Sequence, residues 1–464
     1  MDGDLRWGPD VLGEQFESAI LRTQHPDGTH RVATLIRHLP EMGSRSNSGE
    51  TLNSGTAEAV AGANARVVAG TGTSARVGAG AGAGAGVGAG TAAAHGPSSP
   101  RRAAAGQAVL YLHGWSDYFF NPDLAAFWAD LGIAFYALDL HNHGRSLREG
   151  DLGGFVGHLQ DYDAELHLAL AAVAADLREL RSDGRISVPP RSSASSRSPE
   201  PPSSSAIPEP ATTQQSPGPS PSPSSTVPEL ATTKRSPEPV PQIALMGHST
   251  GGLVAALWAS RHPGTISHLI LNSPWLEMYG SALVRHAAYS VVQPFARFWP
   301  QKRMRLPERN FYWRSISSQA DGGWELDNAL RPPKAFPIRL GWMSAILAGQ
   351  ASVAKGLRIQ VPILVLMSAR SMNGPFWKDS MHTADVVLDV HTMAARAGTL
   401  GSTVAIEKIE GGLHDVLLSE RAVRDDAYAR LRRWVQAFMF IEGRAGMPAD
   451  GGADGGPGEV DDGG

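Results

Sequence analysis

Within Gln242–Trp258 an apolar, strand-like run (Gln242–Met246) passes into Gly247-His248-Ser249-Thr250-Gly251 and leaves as an apolar helical pattern. A turn this tight crowds the backbone. Side chains two positions either side of Ser249 would collide with it or with neighbouring elements, so glycine stands there. The serine is forced into a strained conformation, with its hydroxyl at the tip of a sheet and at a helix N-terminus, whose dipole favours developing negative charge. A chain built around such a unit must alternate strands with helices, and this one does.

Short β-branched or apolar runs at Arg31–Leu39, Ala108–His113, Ile133–Leu140, Gln242–Met246, His268–Asn272, Pro362–Met367 and Thr403–Ile409 read as buried strands, the first after a turn at Pro26–Gly28. Helical patterns lie between them at Leu124–Leu131, Leu159–Leu180, Gly252–Arg261, Ala384–Ala397 and Ala422–Phe440. This alternation predicts an α/β protein, with a mostly parallel central sheet covered by helices on both faces.

Two low-complexity stretches interrupt the pattern. One (43–105) is mostly Gly, Ala, Ser and Thr; the other (182–241) is Ser/Pro-rich and carries a tandem copy, Ile207-Pro-Glu-Pro-Ala-Thr-Thr returning as Val227-Pro-Glu-Leu-Ala-Thr-Thr. Neither can bury a core, so both are expected as disordered insertions in surface connections, where long loops cost little closure entropy. The expected organisation is therefore an N-terminal part (1–42), the first insertion (43–105), core (106–181), the second insertion (182–241), core again (242–446) and a disordered Gly/Asp tail (447–464).

Composition removes several classes. The 464 residues include no cysteine, which excludes disulfides, Cys-based zinc sites, iron–sulfur clusters and a thiol nucleophile. A net charge of −4 without a long basic block argues against nucleic-acid binding. No apolar leader opens the chain and no run reaches the ~20 residues that span a bilayer, so a cytoplasmic location is expected, with peripheral membrane association left open.

A serine hydroxyl needs a base to become nucleophilic. Of 16 histidines the best placed is His414 in Ile409-Glu-Gly-Gly-Leu-His-Asp-Val, after a strand and before the last helix, where Gly411 and Gly412 let the loop bend the ring toward the sheet edge. His248 should point elsewhere, and His262 and His268 read as a helix end and a strand start. An acid should follow the strand Pro362–Met367. Asp385 is preferred, since it opens the helical run and would sit at a loop–helix junction, unless it is simply an N-cap. Asp389 and Asp379 are the alternatives, and Asp415 is too near the base to reach its far nitrogen. Backbone N–H groups of Thr250 and of Trp115, exposed by the turn at Gly114, could hold an oxyanion. Metal ligation by His141 and His143 lacks an evident carboxylate partner, so no metal and no cofactor are expected, and that loop is read as packing near the site's rim.

Together, Leu112-His-Gly-Trp-Ser-Asp-Tyr, Asp139-Leu-His-Asn-His-Gly-Arg-Ser, Gly247-His-Ser-Thr-Gly-Gly, Asp385 with Asp389, and Glu410-Gly-Gly-Leu-His resemble the α/β-hydrolase superfamily. The likeness is to its monoacylglycerol lipase and lysophospholipase-like group, related to serine aminopeptidases. It departs from the family's frequent Arg-Gly at His141-Asn142 and Met at Thr250. The resemblance implies Ser249 as nucleophile, Asp385 as acid, His414 as base, and Trp115 and Thr250 as oxyanion donors. It also implies a lid at about 275–356, rich in aromatic residues from Trp275 to Trp342 that either line an apolar acyl tunnel or pack the lid itself. The implied substrate is a small-molecule acyl ester, lipid-like in character; an aryl ester, a peptide with a free N-terminus, or a non-catalytic binding role on the same fold are alternatives. The basic run Lys302-Arg303-Met304-Arg305, with Arg309, would suit peripheral contact with an anionic lipid surface.

Overall fold

The structure is a computed structural model describing residues 5–24, 28–39, 106–182, 241–278, 282–305 and 310–440. The segments expected to be disordered, apart from Ser182 and Pro241 at the ends of the second, lie outside the described residues. So does Arg309.

Nine strands form one sheet among the described residues: β1 (Gly8–Asp10), β2 (Gly13–Gln24), β3 (His30–His38), β4 (Gln107–Leu112), β5 (Ala134–Asp139), β6 (Gln242–His248), β7 (His268–Asn272), β8 (Ile363–Ser368) and β9 (Val404–Ile409). Their order is β1-β2-β3-β5-β4-β6-β7-β8-β9. The first three pairings, as far as β3 with β5, are antiparallel and all others are parallel. Six of the seven expected strands lie in the parallel part and the seventh is β3. The sequence reading missed β1 and β2, whose polar and acidic residues mask their alternation.

Successive side chains of a strand face opposite sides of a sheet, and here each side has its own core. Leu110, Leu112, Leu245 and Val365 pack with α2 (Asp163–Ser182) and α3 (Ser249–Arg261). Val109, Tyr111, Met246 and Leu364 pack with α1 (Pro122–Asp130) and α8 (Arg421–Phe438). Asn121 caps α1, its side chain accepting from Leu124 N, and Pro122 pre-sets the first turn. Between β7 and β8 come α4 (Ala282–Phe298), α5 (Phe311–Ile316) and α6 (Leu340–Ala354), followed after β8 by α7 (Val390–Ala397). No described helix is long and apolar enough to cross a membrane.

The antiparallel edge is tied to the site's side of the sheet by one buried cation. Arg145 reaches Asp10 through Nε (2.7 Å) and Nη2 (2.8 Å), and Asp139, at the end of β5, through Nη1 (2.8 Å). Removing it would strand two buried carboxylates. Arg145→Met is expected to cost about 3–5 kcal/mol, whereas Arg421→Met, at an exposed position on α8, should stay within about 0.5 kcal/mol. Denaturant melts of the two variants check this.

Candidate active site

Ser249 begins α3 with φ of 52°, a left-handed backbone that is rare outside glycine. The glycines around it have no room for a side chain. A Cβ on Gly247 would lie 2.6 Å from the Gly251 carbonyl oxygen, and one on Gly251 would lie 2.2 Å from that of His113. Helix α3 therefore starts at the serine itself, three residues before the expected Gly252. Trp275 N donates to the Ser249 carbonyl (3.0 Å), holding the turn from the far side.

The three side chains sought for a nucleophile, base and acid stand in one line. His414 Nε2 is 3.0 Å from Ser249 Oγ, and His414 Nδ1 is 2.9 Å from Asp385 Oδ2. Both His414 and Asp385 are buried, while Ser249 is only half-buried. With Nδ1–H donating to the carboxylate, Nε2 is left to accept the serine proton. The other oxygen of Asp385 accepts from Val387 N (2.7 Å) and Leu388 N (2.8 Å), so its orientation is fixed by backbone.

Two expectations about this acid need correction. Residues 384–389 are not helical, so Asp385 does not open a helix; its backbone pairs with the chain around Ser371 instead. Asp389 takes the capping role, accepting from His391 N and Thr392 N at the start of α7. The apolar run Val386-Val-Leu resembles a helical face, but the Asp385 carboxylate draws those N–H groups into a turn. Asp379 is exposed at the start of a short 3₁₀ turn, and the carboxylate on His414 is that of Asp385.

The loop after β4 runs against the serine: a Cβ on Gly114 would sit 3.2 Å from Ser249 Cβ. The Trp115 N–H has no backbone acceptor among the described residues. Thr250, in the first turn of α3, likewise has no intrahelical acceptor for its N–H. His141, expected to lack a carboxylate partner, has one: the fully buried Glu165 binds its Nδ1. His143 packs its ring 4.9 Å from that of His113.

A second layer connects the neighbours of the serine and of the base. His248 Nδ1 donates to the Asn272 carbonyl (3.1 Å), and Asn272 Nδ2 donates to Asp415 (2.6 Å). His248 Nε2 then accepts from the Tyr312 hydroxyl at 3.4 Å. Burial above all, then Asp415 and Asp117, pushes the Tyr312 phenol well above its usual range, so it stays a donor. Tyr312, from α5, also meets the His414 ring edge-on at 5.0 Å. The sequence singled it out only as one of many aromatics; of the two residues that meet beside it, Asp117 entered only as part of the run after β4, and Arg331 carried no signal.

These groups open into a cavity of about 300 Å³. Trp115, Trp275 and Trp342 form one wall, with ring centroids 4.5 Å apart for Trp115–Trp342 and 5.8 Å for Trp275–Trp342. The aromatics expected between β7 and β8 thus divide. Trp275, Tyr312, Trp313 and Trp342 line the cavity, Trp324 packs on the β9–α8 loop, and Phe295, Phe298 and Trp299 are exposed on and just after α4.

A mostly parallel sheet with a serine elbow after a central strand, and an acid and a histidine after the next strands, defines the α/β-hydrolase fold, and the chain has that fold. Family models agree: the α/β hydrolase fold matches residues 107–307, and serine aminopeptidase, S33, matches 226–421. Among solved structures the chain is similar to the monoacylglycerol lipase of Paleococcus ferrophilus (13% identity, TM-score 0.43, covering 71% of this chain and 94% of that one). It is also similar to a soluble variant of monoglyceride lipase from Saccharomyces cerevisiae (13%, TM-score 0.42, 73% and 89%) and to a thermostable carboxyl esterase from Bacillus coagulans (11%, TM-score 0.42, 91% and 99%). No curated protein matches the chain.

Burial, reinforced by His113, holds His143 well below the usual imidazole range, and burial also lowers His248. Both therefore hold a proton less readily in the fold than in the unfolded chain, where imidazoles take up protons near pH 6.5. The unfolded state then binds more protons, so stability is complete above about pH 6.5 and is lost as pH falls below it. Thermal melts should be flat between pH 7 and 8 and drop steadily toward pH 5.5, by up to about 1.4 kcal/mol per pH unit for each buried ring. A flat profile down to pH 5.5 would contradict the assignment.

Proposed function

We propose that the protein is a serine hydrolase that cleaves carboxylic esters through an acyl-enzyme on Ser249. The reading is carried by the hydrogen-bonded chain from Ser249 Oγ through His414 to Asp385. His414 Nε2 takes the serine proton as Oγ attacks the ester carbonyl, and Asp385 stabilises the imidazolium that forms. The N–H groups of Trp115 and Thr250 receive the oxyanion. His414 returns the proton to the departing alcohol, and water, activated by the same imidazole, releases the acid.

A lipid-like monoester suits the cavity, whose tryptophan wall offers apolar surface to an acyl chain. A peptide with a free N-terminus, which the aminopeptidase model brings to mind, would need a carboxylate for its ammonium group. Asp117, which lines the cavity, is already 3.0 Å from Arg331. That favours esters.

Helix α4 supports access from a lipid surface. Val292 and Ala296 face the core, while Phe295, Phe298 and Trp299 are exposed beside exposed Arg297, Lys302, Arg303 and Arg305. Aromatic rings ringed by cations fit the headgroup region of an anionic bilayer. Met304 N donates to the carbonyl of Ile338, which lines the cavity, so this face adjoins the cavity wall.

Ser249→Ala should abolish fluorophosphonate labelling and lower p-nitrophenyl ester turnover by roughly 10⁴-fold or more. Asp385→Asn should lower kcat by roughly 10³–10⁴-fold, whereas Asp389→Asn, which can still cap α7, should stay within about threefold. Turnover retained in Ser249→Ala would put the chemistry elsewhere. For the surface, Phe298→Ala/Trp299→Ala should weaken sedimentation with phosphatidylserine-containing vesicles at least about fivefold, with wild-type binding falling as salt rises. Equal binding to neutral vesicles would refute the electrostatic part.

A further inference from the structure

One polar group in the cavity is left unused by this chemistry. Arg331, in the β7–β8 connection, lines the cavity with only 6% of its side chain exposed. Its Nε lies 3.0 Å from Asp117 Oδ1 but is not aligned for a hydrogen bond, and neither Nε nor Nη1 has a hydrogen-bond partner among the described residues. Buried guanidinium N–H groups are seldom left so, because a desolvated donor without an acceptor is costly. Asp117 already balances the charge. What the guanidinium lacks is acceptor oxygens.

Its position says which part of a substrate could supply them. The Arg331 Cζ stands 5.0 Å from the centroid of the Tyr312 ring, the same ring that meets His414. In the hydrolytic cycle the departing alcohol receives its proton from His414 Nε2, so the alcohol portion leaves on the imidazole side. The acyl portion has the tryptophan wall.

We infer that Arg331 is a specificity-determining residue, donating to a neutral oxygen acceptor (hydroxyl, ether or carbonyl) on the alcohol portion of the ester. A neutral acceptor fits because an anion would add uncompensated charge beside the Asp117–Arg331 pair and the nearby Asp415 and Asp385. The inference rests on the ester-hydrolase reading above.

The test compares 2-hydroxyethyl octanoate with propyl octanoate. They differ only in one acceptor oxygen and form the same acyl-enzyme, so deacylation is common to both. Wild type should favour the hydroxyethyl ester at least about tenfold in kcat/KM, and Arg331→Met should bring that ratio to about one. Because Arg331→Met leaves Asp117 buried without its counter-charge, Asp117→Asn/Arg331→Met is made in parallel and should show the same loss of preference. No preference in wild type, or a preference that survives both substitutions, overturns the inference. Wild-type preference for 2-phosphoethyl octanoate over the hydroxyethyl ester overturns its neutral-acceptor part in favour of an anion site. Fluorophosphonate labelling separates the two levels: a labelled protein with no dependence on Arg331 loses only this inference, whereas an unlabelled wild type loses the hydrolase reading and the inference with it.

Discussion

The left-handed backbone at Ser249 is the constraint on which the rest of the structure depends. A non-glycine residue in a strained region costs about 1–3 kcal/mol and persists only where its surroundings over-determine it. Here they do. The register between β4 and β6 brings Leu112 opposite Gly247, and that between β6 and β7 brings His248 opposite Asn272. Helix α3 is buried from Thr250 through Ala259, so the chain leaving the serine cannot drift outward without exposing its core. The carbonyl of His113 occupies the space that any side chain at Gly251 would need. Strain at one residue is thus offset by packing along three strands and a helix, and the hydroxyl is aimed before any ligand arrives.

Aim alone does not set the distance to the imidazole, which comes from β9's end of the sheet. The link is made one residue away from each partner. His248 precedes Ser249 and Asp415 follows His414, and Asn272 bonds to both through its carbonyl and its side-chain amide. A shift of the His414 loop relative to the elbow would have to break these buried bonds, which is dear in a low-dielectric interior. The close approach of serine and imidazole is therefore a property of three strand ends acting together.

How much of this could be read from the sequence follows from where each instruction is written. The elbow is encoded locally, because steric crowding demands glycine at fixed offsets. The strand hosts and His414 were legible because buried parallel strands are short apolar runs and the histidine follows one of them. Asp385 was harder. Its helical-looking run Val386-Val-Leu led to a misplaced helix, since periodicity cannot register that a carboxylate competes for the backbone N–H groups of residues 387 and 388. The pairing of His141 with Glu165, of Arg145 with Asp10, and of Arg331 with Asp117 joins residues 24, 135 and 214 positions apart, with no local pattern on either side. Such pairs exist only once the fold has brought them together.

The charges around the two imidazoles follow from the same geometry. Asp415 is satisfied by Asn272 and Leu417 N, and Asp117 by Tyr118 N and Arg331. Among the described residues, Asp385 is the one carboxylate hydrogen-bonded to His414. His248, with its ring 4.9 Å from that of His414, would oppose a positive charge there if it were itself protonated. Burial lowers its proton affinity, and its two nitrogens are occupied by the Asn272 carbonyl and the Tyr312 hydroxyl. The neighbouring ring is thereby biased toward its neutral form. In the proposed cycle the imidazolium at His414 then faces, among the described residues, one hydrogen-bonded carboxylate and a ring whose own protonation is disfavoured. Tyr312 comes from the β7–β8 connection, so the segment that covers the cavity also helps fix the protonation of the ring beside the base.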